Sequence, residues 1–373
     1  MSKKVVYILS QVDKAVAFEW VVEEFKKTSI ELVFILINDR SDTPFSQFLE
    51  RHKIEYYTYP LKTKKSYPFT AIKIAFLLRK LGDIIVHVHL FEGGLIGLFA
   101  AKLANVKKRI FTRHHSTSHL EYFPNAVKYD KLNNWMATKI VAISENVKSV
   151  LINNEGVSLN KIEVIEHCFK LENFKNVKAE EVSALRLKHE IPEGKIIIGT
   201  ISRYVKLKGI DFVIEAFKEV QITNPKVHLL LANSGGNYEN IIRAKLNELP
   251  QDSYTEIKFE SNLYALYHLL DIFCHVPINL KVEAYGQTYV EALAAGISSV
   301  YTLSGIANDF VTNEQNALVV DYENSDQIAN AIQRLLSDNE LKHRIINNGK
   351  KSVQKFDLPI MIYKLERLYL SNK

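Results

Sequence analysis

Short β-branched runs alternate with amphipathic stretches along this chain, and they do so in two successive series. That rhythm constrains the fold more than any other feature. A strand covered on both faces reads as a continuous apolar run and needs a helical crossover to reach its parallel neighbour. In the first series, residues 5–9, 31–38, 84–89, 109–112 and 140–143 read as buried parallel strands, with helical spacing at 15–27, 69–81, 93–104 and 145–153. The pattern weakens over 166–188, a polar stretch that reads as an interdomain connection. A second series follows, with strands expected at 196–201, 228–232, 272–276, 299–301 and 317–320. Its helices fall at 210–221, 240–248, 288–295 and 326–336, and residues 341–370 read as helices with no strand after them.

Such alternation predicts α/β architecture with doubly wound parallel sheets. A length of 373 residues exceeds one ordinary core and suits two such domains. We place them at 1–185 and 186–356, with a final helix at about 357–373 packing back on the first. Two sheets side by side create a cleft, and ligands in these sheets lie beyond the carboxyl ends of the strands. Functional loops are therefore expected after strands.

Composition narrows the class further. Hydrophobic content of 47% with 24% charged residues is that of a globular chain. A net charge of +6 suits an anionic small substrate or an acidic membrane surface, and falls short of a nucleic-acid footprint. Two distant cysteines, Cys168 and Cys274, argue against a disulfide framework and for a reducing compartment. Met1-Ser2-Lys3-Lys4 leads into an apolar run too short for a signal core, and no run reaches the roughly 18 residues of a membrane span. A cytoplasmic, soluble protein is expected.

Two segments carry chemistry. After the strand at 196–201 come Arg203 and Lys208, then Gly209 and a helix. A guanidinium and an ammonium beside the free N–H groups of a helix start form a site for phosphate or diphosphate. On these residues alone, a solvated basic loop remains an equal reading. The second segment is Glu283-Ala284-Tyr285-Gly286-Gln287-Thr288, followed by Glu291 about one turn into a helix that ends at Gly296. Both carboxylates can border one pocket at the helix start and accept hydrogen bonds from sugar hydroxyls. Glu291 alone is equally a first-turn acid favoured by the helix dipole, but that leaves Glu283 and the glycines without a reason.

Together the two segments resemble the retaining glycosyltransferases of family 4, which have the GT-B fold of two Rossmann-like domains facing across a cleft. Arg203, Lys208-Gly209 and Asp211 match the family's Arg, Lys-Gly and acidic positions. Glu283 and Glu291 match its paired-Glu signature, with Gly286 and Ala295-Gly296 in register. Asn313 to Val320 and the helix at 326–336 resemble the next strand and helix, and Asp83, His87, His89, Thr112-Arg113-His114 and Ser144-Glu145 are fainter landmarks. The resemblance is strong over 196–336 and thin before residue 80.

This resemblance implies an N-terminal domain for the acceptor and a C-terminal domain for a nucleotide-sugar, UDP-sugar first and GDP-sugar second. Arg203 and Lys208 would bind the donor diphosphate. Glu283 would hold the transferred sugar, helped by backbone N–H groups at Gly286, Gln287 and Thr288, while Glu291 would bind the ribose. His114 would sit near the reacting carbon. Transfer with retention through an ion-pair-like path needs no protein nucleophile, and a saccharide or lipid-linked saccharide acceptor implies surface polysaccharide or glycolipid synthesis. A sugar-nucleotide epimerase of the same fold, or a non-catalytic sugar-nucleotide-binding relative, is the alternative. A nicotinamide dehydrogenase is disfavoured because no Gly-x-Gly-x-x-Gly follows the first strand.

No cofactor and no metal ion are expected, since no Asp-x-Asp pair occurs and two cations can neutralise the diphosphate. Histidines 87, 89, 114, 115 and 119 raise a metal reading; satisfied core or cleft histidines are preferred. His87 and His89 alternate in one strand and should share a face of the sheet. The chain departs from the family at three places. Ser10-Gln11-Val12-Asp13-Lys14 replaces a glycine-bearing loop, Glu166-His167-Cys168 replaces Asn-Gly, and Ala232-Asn233-Ser234-Gly235-Gly236 replaces Gly-Asp-Gly. The base of the nucleotide is expected to meet backbone near 260–262. Finally, residues 62–80 place cations at both ends of an apolar helix. A core-packed helix with a wet basic face is the first reading, and weak peripheral contact with the inner face of a membrane is the second.

Overall fold

Strands β1 (Lys3–Ser10), β2 (Ile30–Asn38), β3 (Tyr56–Pro60), β4 (Ile84–His89), β5 (Lys108–Arg113), β6 (Lys139–Ala142) and β7 (Ile162–Val164) form one seven-stranded sheet in the order β3-β2-β1-β4-β5-β6-β7. Every pair is parallel. The computed structural model describes residues 3–61 and 63–371, and the chain divides into two units, Met1–Phe169 with Leu358–Lys373 and Lys170–Asp357. The first sheet belongs to the first unit. Val5, Val6, Tyr7, Ile8 and Leu9 are all buried, as a central strand covered on both faces requires.

Strand β1 pairs with β2 on one side and β4 on the other, so the winding reverses between β1 and β4. At such a reversal the loops after the two strands part and leave a crevice. The loop after β1 lacks glycine, and close approach comes instead from the helix that follows β4, Phe91–Leu103. The N–H of Gly93 donates to Ser10 Oγ at 2.9 Å, and a Cβ on Gly93 would lie 3.3 Å from the Ile8 carbonyl oxygen.

The helix Leu358–Leu370 completes this unit, burying Met361, Ile362, Leu365, Leu368 and Tyr369. The Tyr369 hydroxyl lies 2.6 Å from Tyr7 Oη and 2.6 Å from His87 Nδ1, while His87 Nε2 lies 2.7 Å from Thr112 Oγ1. Lys108 donates to the carbonyls of Tyr369 and Ser371, at 3.1 and 2.7 Å, supplying a cation to the helix's carboxyl end.

In the second unit β8 (Ile196–Ile201), β9 (Val227–Ala232), β10 (Tyr254–Ile257), β11 (Ile272–His275), β12 (Ser298–Tyr301) and β13 (Leu318–Val319) are ordered β10-β9-β8-β11-β12-β13. All are parallel, and the reversal falls between β8 and β11. Ile198, Ile210, Val213, Phe217, Leu229 and Ile332 lie in its core.

The stretch 166–188 differs from the connection expected of it. It holds helices Glu172–Lys175 and Ala179–Lys188. The latter buries only Leu185, so it has no apolar stripe to betray it. Strands β3, β7 and β10 lie outside the runs that read as strands in the sequence. All three are sheet edges, short and half-buried, where selection for apolar residues is weak. Among the described residues neither cysteine forms a disulfide, and no helix is long and apolar enough to cross a membrane.

Candidate active site

The reversal between β8 and β11 gathers most of the charged residues singled out above. Beyond Ile201 the chain passes Ser202 and the exposed Arg203, makes one tight turn at Lys206–Lys208, and enters the helix Ile210–Thr223. Gly209 joins turn and helix in the left-handed region, at φ 65°, and a Cβ there would fall 2.2 Å from the Val276 carbonyl oxygen. Only glycine fits so close an approach. The loop after β8 is thereby pressed against the chain leaving β11, where the Ile278 N–H donates to the Leu207 carbonyl at 3.2 Å.

This contact carries Lys208 over to Glu283, and Lys208 Nζ donates to the Glu283 carboxylate. Glu283 sits on an ordered loop. The Asn279 side chain accepts from the N–H groups of Lys281 and Val282, each at 3.0 Å, and the Glu283 N–H donates to Ser304 Oγ at 3.2 Å. The buried His275, last residue of β11, places Nε2 3.3 Å from Glu283 Oε1. Burial alone would raise the Glu283 carboxyl, but Lys208 and His275 together hold it down at about 2. Burial pushes the His275 imidazole down, against the pull of Glu283. The pair is thus a buried carboxylate kept ionised by an ammonium, with a neutral imidazole as second neighbour.

Glu291 behaves in the opposite way. It lies within the helix Gln287–Ala295, which starts after Gly286 in the left-handed region at φ 85°. Glu291 is buried and accepts from the Tyr267 hydroxyl at 2.7 Å. Burial raises its carboxyl to about 7 despite that hydrogen bond. In the same helix Gln287 is exposed at the first position, and Thr288 Oγ1 is buried without a protein partner among the described residues. The N–H groups of a first helical turn are anion and hydroxyl donors. Asp211 accepts from the Tyr238 hydroxyl at 3.3 Å. Glu260 is engaged rather than open: the Asn262 N–H, Lys188 and His189 meet its carboxylate at 2.8, 2.7 and 2.8 Å and hold it at about 2 against burial.

His114 belongs to the first unit. It follows β5, lies with Nε2 3.1 Å from His89 Nδ1, and stacks on His167 at 5.3 Å between ring centres. His87 and His89 share a sheet face, their rings 4.3 Å apart. Burial keeps all four neutral, with His87 near 3, His167 near 4, and His89 and His114 well below the usual imidazole range.

Thus Lys208 and Glu283 meet directly, Arg203 is exposed at the end of the same strand, and Glu291 is held apart by Tyr267. Reading the sequence did not find His275 or Tyr267. His275 had a signal, since it ends a strand at the face where ligands bind in such sheets. Tyr267 had none, because its role arises from a contact made across the fold.

Family models describe both halves of the chain. "Glycosyltransferase Family 4" matches residues 21–173, and "Glycosyl transferases group 1" matches residues 182–352. CapM of Staphylococcus aureus, a capsular polysaccharide biosynthesis glycosyltransferase, is 30% identical over 80% of this chain and 79% of its own length. The chain belongs to the family 4, group 1 glycosyltransferases. The enzyme is also 24% identical, over 88% of both chains, to an N-acetylgalactosamine-N,N'-diacetylbacillosaminyl-diphospho-undecaprenol 4-alpha-N-acetylgalactosaminyltransferase of Campylobacter jejuni. Anabaena HepE in complex with UDP-glucose superimposes with a TM-score of 0.82, at 20% identity, over 98% of this glycosyltransferase and 99% of that chain. With the two sheet orders, this makes the fold GT-B, two Rossmann-like parallel-sheet domains.

Proposed function

We propose that this glycosyltransferase moves a sugar from a nucleoside-diphosphate donor to a saccharide or lipid-linked saccharide, with retention, in surface polysaccharide or glycolipid synthesis. The observation that carries the reading is the Lys208–Glu283 pair at the reversal between β8 and β11, with Arg203 on the same loop. Lys208 and Arg203 take the diphosphate and stabilise it as it leaves. Glu283, ionised, accepts hydrogen bonds from the transferred sugar, and the N–H groups following Gly286 donate to it. Glu291 binds the ribose through the carboxyl oxygen that Tyr267 leaves available. With no nucleophile in this scheme, rate comes from orientation and from stabilising charge on the leaving group. The two cations do the neutralising, so transfer proceeds without a metal ion or cofactor.

UDP-sugar is the first donor and GDP-sugar the second; the UDP-glucose complex of HepE supports that order. The names of CapM and of the Campylobacter enzyme, which specify capsular polysaccharide and a diphospho-undecaprenol-linked saccharide, support the acceptor class. A thermal-shift comparison of UDP-, GDP- and ADP-sugars tests the donor, since a ligand selective for the folded state raises its stability. Binding of UDP-sugar by the wild type and its loss in Lys208→Ala is the expected result. Equal shifts in both proteins would overturn the assignment.

The surface of the first unit supports work at a membrane from the cytoplasmic side. Helix Tyr67–Leu81 packs inward through Thr70, Ala71, Ile74, Ala75 and Leu78. Its outer face exposes Phe69 and Phe76, at 69% and 59%, among Lys64, Lys65, Lys73, Arg79 and Lys80; Lys62 lies outside the described residues. Beside it, Phe99, Leu132 and Trp135 border an apolar groove, with Lys102 Nζ 3.1 Å from the centre of the Trp135 ring. An apolar face rimmed by cations fits an anionic bilayer. Co-sedimentation with phosphatidylglycerol vesicles at low salt is expected, and its absence would discard the contact.

A further inference from the structure

One buried cluster of the first unit takes no part in the scheme above. Beyond β5 the chain passes His115 and reaches His119 in the short helix Ser118–Tyr122, and the helix Val127–Met136 brings Asp130 to meet them. His115 Nε2 lies 3.3 Å and His119 Nδ1 2.6 Å from the same carboxylate oxygen, Oδ2 of Asp130. The two imidazole rings are 3.9 Å apart, and one nitrogen from each, with a carboxylate oxygen, fall within 4.8 Å of one another. Ligands bound tetrahedrally at about 2.0–2.1 Å stand roughly 3.3 Å apart. The His115–Asp130 spacing already has that value, and His119 needs to withdraw by less than about 1 Å.

Two further observations point to a cation. Asp130 is fully buried, and its other oxygen, Oδ1, has no protein hydrogen bond among the described residues. The histidines, by contrast, keep 21% and 18% of their side chains exposed, which leaves a route from solvent and an open coordination position. Charge is the second observation. Arg113 approaches Asp130 at 3.4 Å, which would ordinarily disfavour a metal. Yet the Arg113 guanidinium is gripped by both oxygens of Glu155, itself buried, which also accepts from Asn134 Nδ2 at 2.6 Å. Arg113 is thus committed chiefly to Glu155 and leaves Asp130 open to a further partner. A carboxylate in that position is costly unless paired.

We propose that His115, His119 and Asp130 bind a divalent transition-metal ion of the zinc class, two nitrogens and one oxygen from the protein and water in the remaining position. The ion would clasp the exit of β5 to the helix Val127–Met136. In the sequence His115 and His119 read as satisfied core or cleft histidines; Asp130 lies fifteen residues beyond His115 and joins the cluster only through the fold.

The test uses the full chain, stripped with EDTA and dialysed. Zn(II) is titrated in competition with a chromophoric chelator, Co(II) is added to separate samples for its visible ligand-field bands, and melting is followed with and without Zn(II). One equivalent bound by the wild type, at least about tenfold weaker in His119→Gln with loss of the metal-induced rise in melting temperature, is the expected result. His115→Gln provides the same comparison should His119→Gln not fold, as judged by circular dichroism. Absence of stoichiometric binding by the wild type, or unchanged affinity in the folded variant, would overturn the proposal. Neither result bears on the Lys208–Glu283 site, which lies in the other unit.

Discussion

The carboxyl ends of the two sheets share a winding order and differ in charge. In the first unit the strand ends carry His87, His89, His114 and His167, all held neutral by burial and linked to one another or to Tyr369 and Thr112. In the second, Lys208 and the ionised Glu283 meet at the reversal. One end gathers buried, uncharged imidazoles, with Arg113 beside them paired to Glu155, and the other a cation and an anion that meet each other. The same backbone topology thus leaves electrostatics free, and a handful of side chains after the strands decides whether an end is neutral or charged.

The sharpest way to break this comparison is to remove the cation. Lys208→Ala should lower kcat/KM for transfer by about 10²–10³, or roughly 3–4 kcal/mol, by analogy with loss of one charge-stabilising donor. Circular dichroism should show a folded protein, and normal turnover would refute the charged-end account. Glu291 tests the opposite electrostatic case within the same unit. Its carboxyl is raised to about 7, above the ordinary 4.5, so the folded state binds the proton more tightly. Its contribution is fully present below about pH 4.5 and lost as pH rises through about 7. Glu291→Gln should therefore gain about 3 kcal/mol relative to wild type between pH 4.5 and 8 in urea unfolding, and a flat difference would refute the shift.

The neutral end titrates with the other sign. His87 is depressed to about 3, so the unfolded chain takes up its proton first, and stability falls as pH drops below about 6.5. At pH 5 this one residue should cost about 2 kcal/mol, and His87→Gln should flatten that acid limb. The smallest effect concerns the hydroxyl that His87 meets. Tyr369→Phe removes the group shared with Tyr7 and His87 and should cost about 1 kcal/mol at pH 7. No change in melting temperature would show that the network adds nothing to this end.

Much of the fold was legible because central strands, covered on both faces, leave largely apolar runs; residues 5–9 fall within β1, and 84–89 and 196–201 coincide with β4 and β8. The edges β3, β7 and β10 were not, since half-buried strands mix polar with apolar side chains. The helix Ala179–Lys188 hid for a related reason, having a single buried residue. At the candidate site, Lys208 and Glu283 could be named because loop, glycine and helix start adjoin them in sequence. His275, Tyr267 and Asp130 could not, since each acquires its role from a partner distant along the chain or from burial.

The hydroxyl of Tyr369 reaches Tyr7 across 362 positions of sequence. During synthesis, the whole second unit leaves the ribosome before that hydroxyl does. Until then His87 is without the oxygen at its Nδ1, and the nascent first sheet waits with one flank bare. An early stop codon would therefore injure the portion made first, while the portion made just before the stop could stand complete.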